Sequence, residues 1–413
     1  MQNVTITEEQ QLQDMLDWAL AGQKTLSLQG SGSKTPLGRP VEADAHLDLS
    51  GLSGVTLYEP AELVMRAKAG TKLVDIRKTL AENHQMLAFD PPDYGPLLGG
   101  AAGLATLGGT FSCNLSGARR VKAGSARDHL LGVTGFTGRG QAFQTGSRVM
   151  KNVTGYDLCK LVAGSYGTLA IASTVTFKVL PAPEKIRTVL LYGAMLQDAV
   201  ALMRDGLSSV HDVSAAAYLP ADVAARLSIN QVCESGKPVL AMKIEGPGPS
   251  ASFRTEEIRI LLGAKGEVEE LDQENSDAFW RFVGDVSPFV GSEKPVWKLS
   301  LPPANAAAVV MAITEKTPAR MYLDWGGGLI WLEMTDAPDD GGAAIVRASL
   351  AGAGHATLIR GAEELRRRIA PFQPQALPIE KLNVRIKNAF DPEHILNPGR
   401  MYPLDARGAG GDA

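Results

Sequence analysis

The sequence predicts an α+β protein of two domains, and three observations carry that prediction. Its 413 residues exceed what one hydrophobic core usually supports. Glycines crowd the stretch 95–167 between strand-like segments. After Pro181-Ala182-Pro183 short apolar runs alternate with helical patterns and few glycine loops, as in an antiparallel sheet covered by helices. The expected domains are therefore 1–181 and 182–378. A C-terminal helix and segment, 379–404, follow, and then a small polar tail, 405–413, expected to be disordered.

Each element has its own signal. Residues 7–21 read as a helix, with Thr7 and Gln10 as a capping-box pair and Leu12, Met15, Leu16 and Leu20 on one face. Gly22 supplies the stop. Residues 25–29 alternate as a strand and run into Gly30-Ser31-Gly32-Ser33-Lys34; Pro36, Gly38 and Pro40 follow so closely that no helix opens there. Residues 62–69 form a second strand, and Thr71 caps a helix that turns Leu73, Ile76 and Leu80 to one side. Asp90-Pro91-Pro92-Asp93 is a turn. Residues 130–136 and 141–145 pair as a hairpin about Thr137-Gly138-Arg139-Gly140, and 169–180 is a long alternating strand. In the second domain strands are expected at 188–192, 239–245, 296–301, 320–325 and 329–334, with helices at 195–204, 253–262 and 304–315. The last helix, 379–390, sets Ile379, Leu382, Ile386 and Phe390 at helical spacing and stops at Asp391-Pro392.

Composition excludes several function classes. Apolar residues make up 45% and charged residues 21%, the balance of an ordinary globular protein. The net charge is -4, and the one basic cluster, Glu363-Glu364-Leu365-Arg366-Arg367-Arg368, reads as a solvated helix face, so no nucleic-acid partner is expected. Glu8 and Glu9 precede the first apolar stripe, which is unlike a signal peptide. The run 306–313 falls far short of the ~20 apolar residues of a membrane span. The expected location is the cytoplasm, or the inner face of a membrane reached through partner proteins. Cys113, Cys159 and Cys233 are scattered, which excludes a disulfide framework and the usual iron–sulfur or zinc spacings. None of the six histidines lies in a pair at ligand spacing, so no metal site is expected.

The glycine segments carry the chemistry. A strand feeding the turn Gly30-Ser31-Gly32-Ser33-Lys34 points several backbone N–H groups at one place, a concavity that suits phosphate oxygens. The spacing is not that of a Walker A loop, and the prolines forbid the helix that a Rossmann fingerprint must open. By itself the loop stands between a tight turn and a phosphate cradle. Further on come Gly108-Gly109, Asn114, Gly117, Gly124, Arg127-Asp128, Lys151-Asn152-Val153-Thr154-Gly155-Tyr156-Asp157 and Gly164-Ser165-Tyr166-Gly167-Thr168-Leu169-Ala170-Ile171. Such a density lets backbone approach a flat, polar group such as a dinucleotide. The alternative is a glycine-rich β domain with long loops.

These segments, in this order, resemble the FAD-binding domain of the vanillyl-alcohol oxidase / p-cresol methylhydroxylase (PCMH-type) superfamily, in its D-lactate dehydrogenase and glycolate oxidase branch. The resemblance is closest to the smaller FAD-binding subunits of bacterial glycolate oxidases. It rests on the loop, on residues 149–157, on Asp324-Trp325-Gly326-Gly327, on Gly354-His355-Ala356-Thr357 and on Asn397-Pro398-Gly399-Arg400-Met401-Tyr402. It spans nearly the whole chain and is strongest over 25–180. It implies a two-subdomain PCMH-type FAD-binding domain plus an α+β cap domain with antiparallel sheet, with 379–404 returning to the FAD domain. It further implies that Gly30, Ser31, Gly32, Ser33 and Lys34 hold the pyrophosphate. Pro91, Gly108, Gly109, Asn114, Gly117, Gly124, Arg127 and Asp128 would line the dinucleotide, Ile171 would sit beside the ring or the adenine, and Asn397 and Gly399 would close the flavin end. Members that attach FAD covalently usually carry a histidine where Ser33 stands here, so non-covalent FAD is expected.

The resemblance implies oxidation of a small 2-hydroxy acid, glycolate to glyoxylate, beside a larger FAD-containing catalytic subunit and an iron–sulfur subunit. That chemistry needs a general base and a cation for the carboxylate. Catalytic relatives carry a histidine-rich H-x-G-D-G-N-x-H pattern; the nearest stretch here, 352–357, holds a single histidine. His355 is thus the candidate base and Arg360 its carboxylate partner, against a reading of His355 as a satisfied histidine at a strand start. Trp325 and Trp331 read as packing rather than flavin stacking. Two further readings stand beside the first: a self-sufficient FAD-dependent D-2-hydroxy acid dehydrogenase, and a non-catalytic flavin-binding scaffold or electron relay.

Overall fold

A computed structural model describes residues 2–148 and 155–403. The expected tail and residues 149–154 of the Lys-Asn-x-Thr-Gly-Tyr-Asp segment lie outside the described residues. Contacts divide the chain into two units. One gathers the chain up to Leu115, Ser125–Pro181 and the part from Pro374 on; the other holds Ser116–Gly124 and Ala182–Gln373.

In the first unit, β1 (Gln2–Thr5), β2 (Leu26–Gln29) and β3 (Ala45–Asp48) form a parallel sheet in the order β1-β3-β2. The helix Glu9–Gly22 lays Leu12, Leu16 and Ala19 into a core shared with Leu26, Ala45 and Leu47 and, from far along the chain, with Ile171, Ile395 and Leu396. Its capping box is Glu8 with Gln11, not Thr7 with Gln10: the Gln11 side-chain oxygen accepts from the Thr7 and Glu8 backbones, while Gln10 donates to Asp14. The stop is Gln23 in the left-handed region (φ 50°) rather than Gly22, because its N–H closes the last turn.

Among the described residues seven further strands belong to this unit: β4 (Val55–Glu59), β5 (Val64–Lys68), β6 (Gln85–Met86), β7 (Leu130–Thr137), β8 (Ala142–Gly146), β9 (Ala170–Lys178) and β10 (Leu180–Pro181). Five of them build an antiparallel sheet in the order β4-β5-β9-β7-β8, and β6 pairs with β10. The hairpin β7–β8 turns at the expected residues. At Gly135 the two long strands come so close that a Cβ would sit 1.9 Å from the Ile171 carbonyl; only glycine fits there. Thr71 does not cap the helix Leu73–Ala81. Its hydroxyl is committed to the Lys68 carbonyl and the Gly54 N–H, which leaves Lys72 at the cap position.

The second unit is built on one antiparallel sheet. Its strands are β11 (Lys185–Tyr192), β12 (Ala215–Leu219), β13 (Val239–Gly246), β14 (Val268–Leu271), β15 (Val296–Ser300), β16 (Ala319–Asp324), β17 (Leu329–Met334) and β18 (His355–Arg360), in the order β14-β11-β13-β12-β16-β17-β15-β18. Helices Leu196–Ser208, Gly248–Gly263, Ala306–Thr314 and Ala343–Leu350 cover one face, against Met242, Leu299, Ile330 and Leu332. Sequence reasoning missed β12, β14 and the helices Gln273–Gly284 and Ala343–Leu350. The first reads Ala-Ala-Ala-Tyr-Leu, a helix-favouring composition that full burial between β13 and β16 overrides.

The C-terminal helix, Leu377–Phe390, forms but buries none of its residues fully; Leu377, Ile379 and Leu382 stay exposed. What anchors the segment is Asp391, a buried carboxylate that accepts from the Ile395 and Leu396 backbones and from Lys387. Lys387 also donates to the Thr168 carbonyl, and Leu396 bridges to Leu26 of β2. Asp391→Ala leaves two N–H groups without their acceptor and Lys387 without its counter-ion. It is expected to cost about 3–5 kcal/mol of stability. Denaturant unfolding checks this, with Asp391→Asn falling between the variant and the parent.

Candidate functional site

At the end of β2 the chain turns without forming a helix. Thr35 N–H donates to the Gly32 carbonyl and Leu37 N–H to the Lys34 carbonyl, both at 3.0 Å, with Gly32 at φ 77°. The loop lies tightly against the start of the helix Leu107–Ser112. The Ser31 hydroxyl donates to the Leu104 carbonyl, and a Cβ on Gly30 would meet the Thr106 hydroxyl at 2.4 Å. On the far side, a Cβ on Gly108 would meet that of Ala69 at 2.7 Å. These glycines exist because backbone must pass where a side chain has no room.

Between loop and helix opens a cleft of about 720 Å³, counting its mouth. It is lined by Gly30, Ser31, Gly32, Ser33 and Lys34, by Gly108, Gly109 and Cys113, by Tyr166 and Ile171, and by Asn397 and Arg400. Asn397 holds three stretches of chain together: its side-chain oxygen accepts from Leu28 N–H at 2.8 Å and its nitrogen donates to the Tyr166 carbonyl at 2.8 Å. Arg400 donates to the Lys34 carbonyl at 2.9 Å and the Thr35 carbonyl at 3.3 Å.

Two buried cations therefore meet this cleft. Burial pulls the Lys34 ammonium below its ordinary value, only partly offset by Cys113 and Asp93. Among the described residues its one hydrogen bond is a 3.5 Å contact with the Ser33 hydroxyl. Burial likewise depresses the Arg400 guanidinium. A cation taken out of water favours an anion beside it. The glycine cradle and the two cations fit a diphosphate, and the residues present thus fit a dinucleotide such as FAD.

Several expected residues lie elsewhere. Pro91 is buried, and its carbonyl accepts from Arg77. Asn114 accepts from Arg127 N–H at 2.9 Å, and Asp128 closes a capping box with Ser125. Asn114, Arg127 and Asp128 thus brace one another rather than line the cleft. Gly117 and Gly124 belong to the second unit, where the Gly117 carbonyl accepts from the Trp325 indole at 3.0 Å. Gly399 makes the turn (φ 74°) that delivers Arg400, without lining the cleft itself. Sequence reasoning passed over Arg400, Cys113 and Tyr166. For Arg400 the signal was present, a basic residue directly after the Asn-Pro-Gly turn.

His355 and Arg360 do not form a catalytic pair. They stand at opposite ends of β18, opposite Ser300 and Val296 of β15, roughly 13 Å apart along the sheet. His355 is exposed. Arg360 is buried and donates to Glu333 at 2.8 Å and to the Lys294 carbonyl at 2.8 Å. Its guanidinium is committed to a core ion pair. Trp325 and Trp331 are both buried, as packing requires.

With this geometry in hand, comparisons define the class. The FAD binding domain family matches residues 2–146, which include the whole loop and the helix behind it. Among solved structures, 4-ethylphenol oxidase from Gulosibacter chungangensis superposes with a TM-score of 0.74 at 15% identity, covering 98% of this chain and 90% of that one. p-Cresol methylhydroxylase does so with a TM-score of 0.69 at 15% identity, over 98% and 89%. The fold is that of the PCMH-type flavoproteins, and the cofactor is FAD. Glycolate oxidase subunit GlcE of Escherichia coli is 34% identical over 95% of this chain and 97% of its own length. Glycolate oxidase subunit GlcD of Bacillus subtilis is 28% identical over 77% and 72%. The chain belongs to the family of the Escherichia coli glycolate oxidase subunit GlcE.

Lys34→Met takes a buried cation out of the glycine cradle, so FAD affinity should fall by about 10- to 100-fold. Flavin titration of the apoprotein measures it. Arg127→Ala, outside the cleft, should leave the affinity unchanged.

Proposed function

We propose that this chain is the FAD-binding subunit of a glycolate oxidase (dehydrogenase) complex, which takes glycolate to glyoxylate and passes electrons to partner subunits. The observation that carries the proposal is the diphosphate cradle of residues 30–34 with Lys34 and Arg400, in a chain similar to GlcE over nearly its full length. Bound FAD supplies a hydride acceptor. The residues of this chain bind and orient it: the loop and the two cations hold its phosphates, and Asn397 keeps the C-terminal segment, the Tyr166 turn and β2 closed around it.

FAD is held without a covalent bond. Among the described residues no histidine lines the cleft, and burial raises both the Cys113 thiol and the Tyr166 hydroxyl above their ordinary values, so neither is an ionised nucleophile at neutral pH.

The partners are a larger FAD-containing catalytic subunit, which supplies the histidine base, and an iron–sulfur subunit. His355 and Arg360 stand too far apart to remove the hydroxyl proton and hold the carboxylate of one small acid, which favours chemistry completed by a partner. Among the described residues no helix is long and apolar enough to cross a membrane. Contact with a membrane surface from the cytoplasmic side would then run through the partners.

The chain purified alone is expected to show flavin absorbance that is released on denaturation. Anaerobic glycolate should bleach it only when the partner subunits are present. Flavin that stays with the denatured polypeptide sinks the non-covalent reading, and rapid bleaching of the isolated chain would make it a self-sufficient dehydrogenase.

A further inference from the structure

The turn Gly164-Ser165-Tyr166-Gly167 holds a strained residue that the glycine loop and its two cations leave unexplained. Three of its four residues lie in the left-handed region: Gly164 at φ 82°, Tyr166 at 53° and Gly167 at 70°. Glycine adopts that region freely, and the sequence supplies it at two of the three positions. At the third stands a tyrosine, whose Cβ crowds its own backbone there; for a bulky residue this is a genuine outlier.

The surrounding chain fixes the conformation. Tyr166 N–H donates to the Ser112 carbonyl at 2.9 Å, and the Tyr166 carbonyl accepts from the Asn397 side chain at 2.8 Å. Gly164 N–H donates to the Phe111 carbonyl at 3.1 Å. Gly167 runs so close to Asn397 that a Cβ on it would meet the side-chain nitrogen at 2.8 Å. On the part of Tyr166 these are backbone bonds, and a glycine at 166 would keep them while relieving the strain. What glycine would not supply is the side chain.

That side chain belongs to the cleft. Tyr166 is half-buried and lines it together with Lys34, Cys113 and Arg400. Burial drives ionisation of its hydroxyl far above the ordinary phenol range; the Cys113 thiol pushes the same way and the Arg400 guanidinium opposes. The hydroxyl therefore stays neutral and keeps its proton, beside a buried guanidinium. A phenol O–H next to a cation suits an anionic oxygen, to which hydrogen bonds are short and strong. Backbone strain maintained at a ligand cleft is expected where the strained residue acts on the ligand.

We infer that Tyr166 is a third ligand of the cofactor diphosphate: its hydroxyl donates to a phosphate oxygen beside Lys34 and Arg400, and the left-handed backbone aims it there. The inference rests on the reading of this cleft as the FAD site and is independent of glycolate.

Flavin titration of the apoprotein, repeated with ADP as a competitor that carries the diphosphate without the flavin, tests this without turnover. Tyr166→Phe keeps ring and backbone and should lose about 10-fold in affinity for FAD and for ADP alike. Tyr166→Gly removes hydroxyl and strain together. It should bind FAD no better than the phenylalanine variant, yet its apoprotein should melt no lower than the parent, because glycine accepts the left-handed region. A ring needed only for packing would give the reverse, a lower melting temperature and full affinity in Tyr166→Phe. The inference is overturned if Tyr166→Phe binds FAD as the parent does, if it weakens FAD but not ADP, or if Tyr166→Gly melts below the parent. Lys34→Met separates the two levels. A parent that binds neither ligand, or an affinity that Lys34→Met leaves unchanged, overturns the reading of the cleft and the inference with it. A response to Lys34→Met with none to Tyr166→Phe overturns the tyrosine alone.

Discussion

Closure of the C-terminal segment onto β2 is the interaction on which the cofactor cleft depends. Leu396 bridges to Leu26, Asn397 bonds to Leu28 and Tyr166, and Arg400 reaches the carbonyls of Lys34 and Thr35. Without that return the loop would have one wall, and its lysine would face water. Asp391 is the clasp, since a single buried carboxylate orders the turn that delivers all three residues. A site made from residues so distant in sequence forms only when both ends of the chain are in place. Loss of the last helix should therefore be felt at the cofactor before it is felt in the sheet.

Burial of positive charge is the second theme. Lys34 and Arg400 are withdrawn from water in the first unit, and Lys298 loses much of its hydration in the second. Elsewhere the chain neutralises such groups internally, as with Arg360 and Arg320 on Glu333, or Arg119 and Lys243 on Glu245. The contrast separates structural charges from binding ones. A buried cation matched by a carboxylate belongs to the framework, whereas one left with backbone carbonyls is arranged for something the chain does not itself contain. By that criterion Arg360 belongs to the framework, and Lys34 does not.

Much was legible in the sequence because its signals are local. The strand running into Gly30-Ser31-Gly32-Ser33-Lys34, the prolines that forbid a helix after it, and the hairpin at Thr137-Gly138-Arg139-Gly140 all follow from backbone sterics and short-range patterning. So do the apolar face of the helix Glu9–Gly22 and the five long strands of the second sheet. What failed was non-local. The strand Ala215–Leu219 is made by its neighbours against its own propensity. The glycines at 117 and 124 belong to a short excursion into the second unit, which spacing alone could not reveal. Thr71 has the right chemistry for a cap, but its hydroxyl is taken by the Gly54 N–H, a contact that only the fold creates.

The sequence by itself determined the class of protein: a glycine turn shaped for phosphate, prolines that bar a helix after it, and no histidine at its end. Those are properties of residue type and order, which folding does not change. Tertiary structure alone decided which residues share the cleft, because convergence in space depends on chain return and strand pairing. It brought in Arg400 and Cys113, left Asn114, Arg127 and Asp128 bracing a neighbouring turn, and parted His355 from Arg360 by the length of a strand.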